Sequence, residues 1–155
     1  MTHPPLLGDH SRGGRTRARE VVFRAVFEAD LSHDDVLEVL ELSLGRFRFT
    51  SDGRDFAVRL AQGVVAHREE ADRLLSVLLE NWALERVSTV ARAILRVAIA
   101  EMLAVPETPV LVVLNEAVRL SNRYGEEGAG SFVNGILDAA ARRIRPGSLG
   151  EAPAP

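Results

Sequence analysis

Apolar residues recur at three- and four-residue intervals from Arg15 to Arg145, and no segment sustains the apolar–polar alternation of a strand. That period confines the chain to helices that each bury one stripe. In the first helix Ala18, Val22, Ala25, Val26 and Ala29 share a face, and Phe23 and Phe27 lie on its flank. Ser32 is the expected cap of a second helix, with Val36, Leu37, Leu40 and Leu44 inward and Gly45 as terminator. After the cap signal Thr50-Ser51-Asp52, the stripe Phe56, Leu60, Val64, His67, Ala71, Leu74, Leu75, Leu78 predicts one long helix. A break near Asn81-Trp82 precedes a helix over Ser88–Leu103, which buries Val90, Ala93, Ile94, Val97 and Ala98.

Pro106 stops that helix, and Thr108-Pro109 restarts the chain as a cap residue followed by proline at the first helical position. Val110, Leu114, Ala117, Val118 and Ser121 carry the stripe to Tyr124-Gly125. The run Val110–Leu114 suits a buried strand by composition, but the cap before it and Asn115-Glu116-Ala117 after it favour a helix. The last helix places Phe132, Val133, Ile136, Leu137 and Ala140 inward and ends at Arg145-Pro146-Gly147. The expected fold is all-α: a compact single-domain bundle of six or seven helices over residues 15–146. A disordered arm (1–14) and a disordered tail (147–155) flank it. No segment recurs at fixed period, which disfavours a solenoid.

The 155 residues suffice for one core, and the absence of Cys excludes disulfides and thiolate metal sites. Nothing near the N-terminus resembles a signal-peptide core, and no stretch approaches the ~20 apolar residues that cross a bilayer, so the expected location is the cytoplasm. Net charge is −3, which argues against a general nucleic-acid coat. Yet every one of the 19 basic residues is Arg, and five of them (Arg12, Arg15, Arg17, Arg19, Arg24) crowd the first helix and its approach, opposed by Glu20 alone. A codon bias toward Arg explains the missing Lys but not the clustering. Arg12, Arg15 and Arg19 line up beside the apolar stripe, giving a basic edge with an aromatic border, and the planar guanidinium suits phosphate and base stacking.

Enzymatic chemistry finds no footing. His3, His10, His33 and His67 lack metal-ligand spacing, and His67 reads as a core-edge residue. There is no nucleophile elbow, and Glu69-Glu70 and Glu126-Glu127 read as solvated acids rather than acid–base pairs. No catalytic residue, metal or cofactor is expected. The loop Gly125–Ser131 leads into a helix and could offer N–H groups to an RNA phosphate or sugar near Ser131, or could simply connect two helices. It lacks the Lys and spacing of a P-loop. Asn134-Gly135 within a helical pattern suggests close approach of another backbone. Phe132 has two readings: a buried ring, or an exposed ring that stacks on an unpaired base.

Asn115-Glu116-Ala117, Leu120, Tyr124-Gly125 and Phe132-Val133-Asn134-Gly135-Ile136-Leu137-Asp138 closely resemble the signature of the NusB family. Arg15-x-Arg17-Ala18-Arg19-Glu20, Asn81–Arg86 and Ala93–Ala98 with Glu101-Met102 look like the same family's earlier segments, in the same order. The resemblance implies a transcription antitermination factor that binds boxA RNA of nascent transcripts, notably of ribosomal RNA operons. It would do so as a heterodimer with the ribosomal protein NusE, within an RNA polymerase antitermination complex. By that resemblance RNA meets Arg12, Arg15, Arg17, Arg19, Gly128, Ser131 and Phe132, and the partner docks at Phe27, Trp82, Glu85 and Arg92. The family often has an acid where this chain has Ala91, Thr16 thins the basic run, and the loop from Gly128 to Ser131 is small and uncharged. Two alternatives stand beside this reading: a homodimeric helical interaction module, and the RNA-binding domain of an rRNA cytosine methyltransferase. The second lacks both a Rossmann glycine motif and a Cys nucleophile here.

Overall fold

The computed structural model describes residues 13–80 and 82–150, so Arg12 and the first twelve residues of the expected arm lie outside it. Among the described residues there are seven α-helices and no strand. They are α1 (Gly14–Ser32), α2 (Val36–Leu44), α3 (Ser51–Ala66), α4 (Arg68–Leu78), α5 (Thr89–Ala104), α6 (Val110–Tyr124) and α7 (Ala129–Ile144), with a 3-10 turn at Leu84–Arg86 before α5.

Helix α5 is the axis of the molecule. Ala93 to Met102 are buried without a gap, so this helix is covered all round, and it packs against α1, α3, α4, α6 and α7. Two charges inside it, Arg96 and Glu101, therefore need partners. Arg19 of α1 forks onto Glu101, with Nε and Nη2 each 2.8 Å from a carboxylate oxygen. Arg96 donates to Asp72 of α4 (2.8 and 3.0 Å) and to Asp30 of α1 (2.9 Å), and Arg68 also reaches Asp30 (3.0 Å). These pairs fix which faces of α1 and α4 meet α5.

Several boundaries differ from the sequence reading. The expected long third helix is two helices, because His67 leaves helical dihedrals (φ −105°, ψ 14°). Its apolar stripe stays in phase across the break, so periodicity could not reveal it. His67 is half-buried with Nδ1 3.1 Å from Glu70, the core-edge position expected. Asp35, not Ser32, caps α2: its carboxylate accepts from the N–H groups of Leu37 (2.8 Å) and Glu38 (3.3 Å), while Ser32 donates to the Glu28 carbonyl inside α1. Pro109, not Thr108, occupies the cap position of α6, and α7 begins at Ala129, one turn before Val133.

Leu37 is exposed, whereas Phe23, expected on the flank of α1, is fully buried. A side chain at Gly135 would meet open space, so no backbone approaches there. Residues 146–149 form turns, and Leu149 packs against the core.

Candidate nucleic-acid interface

The basic end of α1 is held by a glycine contact. A Cβ on Gly53 would lie 2.9 Å from the Gly14 carbonyl oxygen, and one on Gly14 would lie 2.4 Å from Thr50 Oγ1. Only glycine lets the first turns of α1 and α3 approach so closely. Thr50 caps α3 by accepting from the Gly53 N–H (3.0 Å). The contact sets Arg15 beside Asp52, with Nε–Oδ2 at 3.1 Å and Nη2–Oδ1 at 3.3 Å, and lays its guanidinium over the Phe56 ring at 4.7 Å. Those hydrogen bonds hold the Asp52 carboxyl below its ordinary pKa and raise that of Arg15. Arg15 remains partly exposed, and Arg17 makes no ion pair among the described residues.

Arg19 does not belong to this edge. It is 6% exposed, committed to Glu101, with Nη1 3.8 Å from Glu116. The sequence placed it on the RNA side because helical projection shows the direction of a side chain but not the buried acid that claims it. Thr16, read as a gap in the basic run, donates to Glu116 (3.2 Å) and ties α1 to α6. Further along, buried Glu20 accepts from Tyr124 Oη (2.9 Å) and pairs with Arg123 (3.1 Å). Burial, reinforced by Glu20, pushes the Tyr124 pKa up. The Glu20, Arg96 and Glu101 contacts escaped the sequence reading, although an acid inside the apolar run Ile99-Ala100-Glu101-Met102 was itself a sign of a buried partner.

A groove of about 420 Å³ lies between residues 79–91 and the start of α7. Its buried floor is Leu79, Val87 and Ala91. Trp82, 62% exposed, and Phe132, 40% exposed, both line it. Exposed Arg86, Glu126, Glu127 and Gly128 complete the rim. Gly128 opens α7 in the left-handed region (φ 84°), the conformation that brings the chain from Glu126-Glu127 into the helix. The buried reading of Phe132 is thereby corrected: Val133 and Leu137 fill the core and leave its ring at the surface. Ser131 is exposed beside it.

Trp82 and Phe132, which the sequence reading gave to different ligands, thus meet in one groove. The other residues expected at the partner do not line it. Glu85 is exposed on the 3-10 turn, and Phe27 is partly buried with its ring 6.2 Å from Phe23. Arg92 is half-buried, and its Nε has no hydrogen-bond partner. Among the described residues no group of His, Asp or Glu could hold a metal ion, and no helix is long and apolar enough to cross a membrane.

A family model described as the NusB family matches residues 16–142. The chain is 42% identical over 141 residues to the transcription antitermination protein NusB of Acidothermus cellulolyticus, covering 91% of this chain and 94% of that protein. Its fold is similar to that of T. maritima NusB, with TM-score 0.79, 34% identity, and coverage of 92% and 93% of the two chains. It is also similar to a chain in a crystal structure of the antitermination factors NusB and NusE in complex with dsRNA. There the TM-score is 0.76 at 26% identity, over 84% of this chain and 97% of that one.

Proposed function

The chain belongs to the NusB family, and from that premise we propose that it is a non-enzymatic antitermination factor that binds boxA RNA of nascent transcripts as a heterodimer with NusE. It acts in the cytoplasm as part of an RNA polymerase antitermination complex. The observation that carries the RNA reading is Phe132: an aromatic ring on the first turn of a helix, left exposed beside a groove although the core stripe of that helix is complete without it. Exposed aromatic faces are platforms for unpaired bases.

Arg15 and Arg17 supply phosphate contacts from α1, and Gly128 and Ser131 bring backbone and hydroxyl donors to the start of α7. Arg12 would extend the basic edge but lies outside the described residues. Arg19 serves the site indirectly, by anchoring α1 on Glu101. Phe27, Glu85 and Arg92 form the partner surface. The solved relative in a complex of NusB, NusE and dsRNA supports RNA and NusE as the two partners.

Sedimentation of the protein with boxA RNA and its own NusE, separately and together, tests the proposal. A ternary species is expected. A homodimer indifferent to both additions would instead make the chain a protein-interaction module.

A further inference from the structure

We propose that the groove between Trp82 and Phe132 is a pocket for one unstacked guanine of the bound RNA, with Trp82 belonging to the RNA site rather than to the protein partner. The inference rests on the RNA-binding reading given above. Two large rings are exposed on the same groove, Trp82 from the segment before α5 and Phe132 from the start of α7, over the buried apolar floor of Leu79, Val87 and Ala91. Flat apolar surfaces of this kind take the face of a base and gain nothing from a phosphate.

The charges decide which part of the RNA enters. Glu126 and Glu127 sit on the rim and repel the phosphate backbone, yet a carboxylate accepts hydrogen bonds from a base edge. Guanine offers two adjacent donors, N1–H and the 2-amino group, which match the two oxygens of one carboxylate. Arg86, exposed on the same rim, is placed to meet the flanking phosphate once the base is inserted. The two acids of this loop, unsuited to a phosphate, are thus the groups that select a base.

Trp82 is the chain's only tryptophan, so its emission reports this groove alone. Short single-stranded boxA RNA carrying a distal dye would be titrated in, with total binding followed by anisotropy and the groove by tryptophan emission. Quenching should track binding. Trp82→Ala should weaken affinity roughly 10-fold, and Trp82→Phe should restore most of it. Replacing guanosine by inosine, which lacks the 2-amino group, should weaken binding to the native protein but not to the Glu126→Ala/Glu127→Ala variant, which has no side-chain acceptor there.

Anisotropy showing normal binding, with emission unchanged and Trp82→Ala at native affinity, would overturn the guanine pocket and leave the RNA-binding function standing. No binding by anisotropy, with or without NusE, would overturn both. Emission that responds to NusE alone and not to RNA would make the groove a protein-docking site and overturn the proposal.

Discussion

Arg15 and Arg19 lie one turn apart on α1, and both guanidinium groups face the Phe56 ring, at 4.7 and 5.0 Å, yet they do opposite jobs. Arg15 is partly open to solvent beside an exposed acid, whereas Arg19 is sealed against Glu101. Changing Arg15 and Arg17 together to Ala should leave the fold intact, weaken RNA binding and lower its salt slope by about 2, since each lost phosphate contact removes one released counterion. Arg19→Ala should instead strand a buried carboxylate and cost roughly 3–5 kcal/mol of stability in urea denaturation. An Arg19→Ala protein of native stability would show that the pair does not anchor α1.

Phe132 separates packing from function as cleanly. With its ring 40% exposed, Phe132→Ala should shift the melting temperature little while costing ~1–3 kcal/mol of RNA affinity. A large fall in melting temperature with affinity intact would return the ring to the core. Residue types and helical positions were readable here from sequence. Partners distant in the chain were not, which is why Arg19 was misplaced, and why the meeting of Trp82 with Phe132 could not be foreseen.

At the level of elements, the apolar period revealed the helices and their inward faces, because burial of a stripe is a local property of sequence. Every residue expected inside α1 is buried, and so are Ala93, Ile94, Val97 and Ala98 of α5. Burial extends well beyond those stripes, to Phe23 and Glu20 in α1 and all round α5 from Ala93 to Met102. Boundaries were less legible because they depend on which of several adjacent polar groups reaches a free N–H. Ser32 and Asp35 both could cap α2, and the carboxylate does.

Two glycines of the last helix region test the same distinction. Gly128 needs its left-handed backbone, so Gly128→Ala should cost about 1–2 kcal/mol. Gly135 lies inside α7 with open space around it, so Gly135→Ala should stabilise by roughly 0.5–1 kcal/mol. Thermal denaturation of the two variants should move in opposite directions. Movement in the same direction would mean that one of these backbone assignments is wrong.

For the whole molecule, the charged pairs inside the bundle link the fold to the interface. Arg19–Glu101 and the Arg96–Asp30–Asp72 cluster join α1 and α4 to the central α5, and so fix the helix that presents Arg15 and Arg17. The net charge of −3 limits what this basic edge can achieve alone, because attraction for RNA is confined to a small area of an otherwise acidic protein. A second, basic protein docked beside it would extend the surface along the RNA. The family signature made membership of the NusB family legible in the sequence, while the placement of Trp82, Phe132 and Arg19 required the folded chain.

The most direct test is the affinity for boxA RNA at one fixed salt concentration, measured with the protein alone, with NusE alone and with both. Weak binding by each protein separately and markedly tighter binding by the pair are expected. Equal affinity with and without NusE would rule out the heterodimer as the RNA-binding species.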